Sequence, residues 1–375
     1  MKRLLCCLSI FLSFLSIAQI ARLKVIIPMG YDDILGFSEG LSWAYNGEKW
    51  GVIDLENHIV MPFVHELPGG DCKNGRILIP DKSAFFDVHG NKVFSFTGAS
   101  ANDFSEGLAV ILIDDNNYTV VDISGKVVFE GHNQFPGEGF HDGMLSFYDS
   151  SSGLFGYVNV NGEVAVKAQY SEVFPFSEGF STVVNKDGKY GFINRAGALV
   201  VPCSYNMATP FVEGYAWCEQ NGIGIFIDRF GKIRIKNKSE AQFKGGLAIV
   251  RPSSTDPSSY QQYGALVINK EGNAIFATEN YDQTKRFGND HFLIMSEGSW
   301  SITNNNGINI TKEVSSNFAI PLLVNDNDII IIQDPISNKV GAIRLEYGKN
   351  NKDQLPGESY AQWVERLHKM GEGVK

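Results

Sequence analysis

The sequence predicts an all-β array of about nine repeated units of ~35 residues, each read as three short strands. Three observations predict it. The tetrapeptide Phe-Ser-Glu-Gly, or a variant of it, returns at near-constant spacing along the chain. The 375 residues include 39 Gly, 26 Phe and 14 Tyr against 13 Pro, which suits many short strands and tight turns. Apolar runs of about 4–6 residues are bounded by Gly, Asn and Asp, the pattern of hairpins. A helical reading fails because glycine recurs too often for a sustained 3.6-residue period.

The tetrapeptide is literal at Phe37-Ser38-Glu39-Gly40, Phe104-Ser105-Glu106-Gly107 and Phe176-Ser177-Glu178-Gly179. Variants end at Gly143, Gly214 and Gly246, and a weaker copy, Cys72-Lys73-Asn74-Gly75, fills the first gap. Degenerate copies are read at Phe287-Gly288-Asn289-Asp290 and Phe318-Ala319-Ile320-Pro321. The Glu-Gly pair suits a turn in which glycine takes a positive φ.

Within a unit, an apolar run such as Phe180-Ser181-Thr182-Val183-Val184 follows the tetrapeptide. A polar turn leads to an aromatic-glycine strand, Tyr190-Gly191-Phe192-Ile193-Asn194, and a second glycine turn leads to the closing run ending at Val201-Pro202. A unit this small cannot bury its apolar face alone, so neighbours must stack. The aromatics Trp50, Phe155, Tyr190 and Tyr263 are expected to pack against the next unit. The glycines after them (Gly51, Gly156, Gly191 and Gly264) are expected to permit a close backbone approach or a bulge. Segments 31–37 and 170–176, between units, are candidates for a fourth strand.

Trp50-Gly51, the recurrent tetrapeptide and the closing runs Val60-Met61-Pro62 and Val201-Pro202 together resemble the WG-repeat proteins, a family common among exported bacterial proteins. Only Trp50-Gly51 is a literal Trp-Gly pair; elsewhere the aromatic varies, or Ala84, Thr119 or Ser301 replaces the glycine. The resemblance implies an all-β repeat architecture and a binding role, and brings no catalytic residues.

The two ends of the array are complementary. Residues 23–28 read as a closing strand, because Pro28, Tyr31 and Phe37 match the spacing of Pro202, Tyr205 and Phe211. Residues 322–324 and 340–345 read as the first two strands of a ninth unit that lacks its closing strand. The expectation is a β-propeller-like ring closed by the N-terminal strand. The alternative is an open β-solenoid capped by a short C-terminal helix, with Tyr360, Trp363, Val364 and Leu367 on one face.

The domain reading is a signal peptide over residues 1–18, the repeat domain over 19–348, and a linker with an amphipathic helix over 349–375. Lys2 and Arg3 precede a 14-residue apolar run, too short to span a bilayer, that closes on Ser16-Ile17-Ala18. Cleavage is expected after Ala18, giving an exported protein that is periplasmic, surface-bound or extracellular, without a transmembrane span in the mature chain. Cys72, Cys203 and Cys218 remain after cleavage, too few for a disulfide framework. Cys203 and Cys218 are close enough in sequence to pair, although buried free thiols are the favoured reading. The formal charge of −10 argues against a nucleic-acid partner held through phosphates.

No zinc-ligand spacing, Walker sequence or nucleophile elbow occurs, so neither a cofactor nor a metal is expected. Asp114-Asp115-Asn116-Asn117 and Asn325-Asp326-Asn327-Asp328 look calcium-like but lack the rest of an EF-hand loop, and read as hairpin turns. The recurrent glutamate is too regular to be catalytic. One place breaks the repeat: residues 251–262 expand a turn of the seventh unit, and Asp256, Tyr260, Gln261 and Gln262 become the candidate binding residues. The expected function is a non-enzymatic binding module for a protein or glycan of the cell envelope. A structural envelope scaffold, or a polysaccharide-active enzyme with a channel site, is the alternative.

Overall fold

The computed structural model describes residues 21–347 apart from 237, 252–263, 280–281, 289, 297, 312–313, 317–318 and 325–327. The leader and the C-terminal helix expected from the sequence lie outside the described residues. Inside them the chain forms nine small antiparallel sheets arranged as the blades of a β-propeller, and the single helical element is the 3-10 turn Pro80–Lys82.

Blade five shows the pattern: Glu172–Val173, Phe180–Val184, Tyr190–Asn194 and Leu199–Tyr205 lie side by side in chain order. Seven blades have four strands, which corrects the three-stranded reading; the added strand is short and comes from the segment between units, as at Asp33–Ile34. Blades two (Arg76–Ile79, Ala84–Asp87, Lys92–Ser95) and seven (Leu247–Val250, Ala265–Asn269, Ala274–Thr278) keep three. In blade two the Gly70 N–H still donates to the Leu78 carbonyl at 3.0 Å, so the extra strand is reduced to one bond.

Strand pairing joins the two ends of the described chain. Ala21–Tyr31 runs antiparallel to Val340–Tyr347, with Val25 opposite Ile343 and Leu23 opposite Leu345. This ninth blade continues through Ile329–Gln333 to Ile320–Val324. Its interior differs from the sequence reading: Leu322 and Leu323 belong to the short first strand, and Ile329–Gln333 is the strand that follows the turn. The degenerate copy placed at Phe318 was therefore one strand too early, because no phenylalanine or glycine marks the true turn.

The core lies between blades. Among the described residues, the phenylalanine that opens a tetrapeptide is almost wholly buried, from 5% exposed at Phe37 to 0% at Phe140 and Phe287, with Cys72 in its place in blade two. It reaches back to the preceding blade: Phe211 lies 4.6 Å from Phe192, and Phe176 lies 4.8 Å from Tyr157. Burying such a side chain contributes roughly 1.5–3 kcal/mol. The aromatics before the glycines play a smaller part. Trp50, Phe155 and Tyr190 are only half-buried, and Trp50 and Phe155 lean on Tyr45 and Tyr148 of their own blades at 5.2 and 5.1 Å. Two residues further on, on the same face of the strand, stand the wholly buried rings Tyr157 and Phe192. Tyr263 lies outside the described residues.

The glycines behave as expected. A Cβ on Gly191 would stand 2.7 Å from the backbone nitrogen and the sulfur of Cys203, and one on Gly156 would stand 2.5 Å from the Val166 carbonyl. The register slips opposite these positions, between Tyr190 and Phe192 and between Phe155 and Tyr157, so the closing strand bulges onto the glycine. The three thiols are free: Cys72 and Cys218 are buried and Cys203 is half-buried.

Candidate functional site: the turn face and its carboxylates

Each of the seven tetrapeptides from Phe37 to Gly246 closes a two-residue hairpin. Ser38 and Leu41 exchange both backbone hydrogen bonds, and Glu39 and Gly40 between them have φ of 48° and 84°. The same double positive φ occurs at Asn74 and Gly75, Glu106 and Gly107, Asp142 and Gly143, Glu178 and Gly179, Glu213 and Gly214, and Gly245 and Gly246. This is the I′ geometry, which asks for Gly, Asn or Asp at both places. Glutamate at the first central position is strained, and the structure supplies the compensation.

That compensation is a contact with the next blade. The Glu39 carboxylate accepts from the N–H groups of Asn74 and Gly75 at 2.8 and 2.7 Å. Glu106 accepts from Asp142 and Gly143, both at 2.7 Å, and Glu213 accepts from Gly245 and Gly246. Glu178 accepts from Gly214 at 2.8 Å, Asn74 from Gly107 at 2.9 Å and Asp142 from Gly179 at 2.6 Å. The serine works beside it: Ser38, Ser105 and Ser177 donate to the carbonyls of Cys72, Phe140 and Phe211, the opening residues of the next motif. The motif is thus a clasp that holds its own next copy, from blade one through blade seven, and it stops at Gly245, which has no side chain to offer.

The second strand of a blade leaves this turn and the third returns towards it, so the turn between third and fourth strands lies at the same end of the sheet. Those turns also repeat. Asp54, Asp87, Asp122, Asn159, Asn194, Asp228, Asn269 and Asn304 each accept, through one side-chain oxygen, the N–H groups two and four residues on. The next residue is a cation in three blades, and it reaches the clasp of the preceding one. Arg195 lies 3.3 Å from Asp142, Arg229 2.8 Å from Glu178 and Lys270 3.2 Å from Glu213.

These contacts set the electrostatics. Burial opposes ionisation of Glu178, but the Arg229 guanidinium and the backbone N–H groups outweigh it and hold its pKa below the ordinary glutamate value. Glu213 is lowered in the same way, by the Gly245 and Gly246 amides and Lys270 against a burial penalty. Asp142, Glu178, Gly179, Asn194, Arg195 and Ala196 line an open groove of about 500 Å³. Its charged groups are already paired, Asp142 with Arg195 and Glu178 with Arg229.

Asp54, Glu56 and His58 bring ligand atoms within 4.8 Å of one another. Asp54 is the cap of its own turn, however, and its second oxygen lies 2.9 Å from His58 Nδ1. Asp114 is a hairpin cap as well, accepting from the Asn116 N–H at 2.9 Å and from the Asn117 side chain at 2.8 Å. The candidate binding residues Asp256, Tyr260, Gln261 and Gln262 lie outside the described residues. The described strand ends on either side of them, Val250 and Ala265, lie at the end of the sheets opposite the clasps. At the exit of that connection, Gly264 N–H donates to the Thr278 carbonyl at 2.8 Å.

A family model described as "WG containing repeat" matches residues 24–50, 155–190 and 190–222. The chain carries WG repeats. Two of the three matches start at an aromatic-glycine pair, Phe155-Gly156 or Tyr190-Gly191, so a WG repeat begins in the third strand of one blade and ends beside the third strand of the next. The repeat of sequence and the blade are out of phase, and each WG repeat contains one complete clasp. A search of curated proteins returns no match. Among solved structures, the computationally designed Ika8 protein is 13% identical, with 78% of this chain and 99% of that one covered and a TM-score of 0.44. BamB from Moraxella catarrhalis is 13% identical, with 88% and 99% covered and a TM-score of 0.42. AztD from Citrobacter koseri is 12% identical, with 88% and 96% covered and a TM-score of 0.34. With TM-scores below 0.5, none of these likenesses bears on function.

Proposed function

We propose that this chain is an exported, non-enzymatic binding protein that presents residues 251–262 to a protein or glycan of the cell envelope. The observation that carries this reading is the division of labour between the two ends of the sheets. At one end the recurrent carboxylates are committed to backbone amides and cations of the next blade, which leaves them unavailable as acids or bases. At the other end the repeat is interrupted between Val250 and Ala265. Insertions in repeat proteins that leave the packing intact are placed where partners bind. The charged and apolar pattern of residues 1–18 supports export.

The test uses the chain from Gln19 onwards and a variant with residues 252–261 replaced by a short glycine-asparagine turn. Both are used to capture envelope proteins from the producing cell and to probe an array of envelope glycans. Capture by the first and not by the second is the expected result. Equal capture by both removes the loop from the proposal, and glycan turnover abolished by one carboxylate substitution replaces binding with catalysis. Intact-mass measurement of protein from its native host is expected to show a start at or near Gln19; a species retaining Met1 defeats the export reading.

A further inference from the structure

We infer that the turn and outer strand of blade six form a docking surface for an anionic lipid surface. The turn Asp228-Arg229-Phe230-Gly231 leads into the strand Ile233–Lys236, which lies at the edge of its sheet. Phe230 is 90% exposed, the most exposed large apolar side chain among the described residues, and Ile233 beside it is 38% exposed. Around them stand Arg229, Lys232, Arg234 and Lys236, all outward in a chain whose formal charge is −10.

The nearby acidic groups are already engaged. Asp228 holds Arg234 at 2.6 Å and Glu178 holds Arg229 at 2.8 Å, while Lys232 and Lys236 form no ion pair among the described residues. With Glu271 of the next turn counted, the four cations Arg229, Lys232, Arg234 and Lys236 face three carboxylates, so the local surplus is positive. The neighbouring turn regions at the same end of the sheets add apolar side chains to this rim: Leu199 in blade five is 50% exposed, and Val164 in blade four is 53% exposed. Glu163 and Glu271 are exposed acidic residues of that rim; the Glu163 carboxylate accepts a hydrogen bond from Asn159 at 2.8 Å, and Glu271 stands in the blade-seven turn whose Gly272 packs on Ile235.

The shape decides the partner. A ring standing 90% clear of the protein lines no pocket, so it suits a planar, penetrable partner better than a shaped one. A protruding aromatic enters the boundary between headgroups and acyl chains, and lysines beside it sit over anionic headgroups. The Asp228–Gly231 turn lies at the end of the sheets opposite Val250 and Ala265, the described flanks of the proposed binding loop, so this inference and that loop stand or fall separately.

Co-sedimentation with vesicles of phosphatidylglycerol and phosphatidylcholine, against phosphatidylcholine alone, tests it. Binding to the first and not the second is expected, weakening as salt is added. Lys232→Glu and Lys236→Glu should each reduce partition roughly fivefold. Phe230→Ser should reduce it about tenfold, with an unchanged melting temperature because the ring has little packing to lose. Equal partition into neutral vesicles overturns the inference, as does binding that neither substitution weakens. Binding to dextran sulfate that is insensitive to Phe230→Ser also overturns it, because that outcome marks a site for soluble polyanions. Loss of vesicle binding on replacement of residues 252–261 places the surface at the wrong end of the ring.

Discussion

The N–H of Gly143 donates to the carboxylate of Glu106 at 2.7 Å, joining a turn in one blade to the equivalent turn in the next. The acceptor therefore belongs to one repeat and the donors to its successor. A carboxylate with two backbone donors is a strong, oriented contact, and it holds a glutamate in a left-handed conformation that the residue otherwise avoids.

Removing that acceptor should be measurable. Glu106→Ala leaves the Asp142 and Gly143 amides to solvent and is expected to cost about 1–2 kcal/mol in urea unfolding. Exposed Lys186, outside any clasp, is expected to change stability by less than about 0.5 kcal/mol on substitution by alanine. Equal effects of the two substitutions would show that the clasp contributes little.

The clasps also predict a direction of pH dependence. Glu178 and Glu213 have pKa values below the ordinary one, so their contribution is present above the unfolded value, near 4.3, and is lost as pH falls through the folded value. The stability gap between the wild type and a Glu178→Gln, Glu213→Gln variant should shrink between about pH 6 and about pH 3. A gap that widens on acidification contradicts the assignment.

Gly191 tests the aromatic-glycine strand. A valine there meets Cys203 backbone at under 3 Å and should cost about 1–3 kcal/mol or more. Lys189→Ala removes only a contact to the Asn206 side chain and should cost well under 1 kcal/mol.

The pairing of the chain's ends yields a crosslink. Val25 and Ile343 face each other across the ninth blade, so Val25→Cys and Ile343→Cys, in a background without the native cysteines, should form a disulfide under mild oxidation. Non-reducing electrophoresis reads the result, with neighbouring pairs as register controls. Deleting residues 19–29 should destabilise far more than removing an unpaired tail, because it strips an apolar strand from Val340–Tyr347.

The native thiols should be silent. Burial, together with the Glu39 and Asp103 charges, pushes the Cys72 thiol up to about 12, and burial raises Cys218 as well. A thiol reagent at about pH 8 should modify these two only when the protein unfolds. Rapid modification of both in the native state contradicts their burial.

Much of this molecule was legible in the sequence because its signals are local. The seven tetrapeptides from Phe37 to Gly246 sit in hairpin turns, each fixed by the conformational freedom of its glycine. Gly191 and Gly156 advertised a close approach because only the absence of a side chain permits one. Even the pairing of the two ends followed from residues 23–28 resembling a closing strand with no unit to close. A signal was also there to be used in the caps: Asp or Asn recurs from Asp54 to Asn304, once at the end of each aromatic-glycine strand in blades one to eight.

Only the tertiary structure decided what those residues touch. Sequence periodicity marked Glu106 as structural, but not that its partners are the amides of Asp142 and Gly143, because a contact 36 residues away depends on how blades stack. It placed the large packing role on Trp50, Phe155 and Tyr190, whereas the buried same-face residues are Val52, Tyr157 and Phe192, since strand twist and the bulged neighbour decide which same-face residue meets the next blade. The interior of the ninth blade was misread for a related reason: residues 325–328 read as a hairpin turn but lack the Phe and Gly that mark the other units, and pairing with Val340–Tyr347 identifies Ile329–Gln333 as the second strand. Composition and spacing determine where a chain turns and which residues avoid water; the partner of each group is settled by packing between units that are distant in sequence.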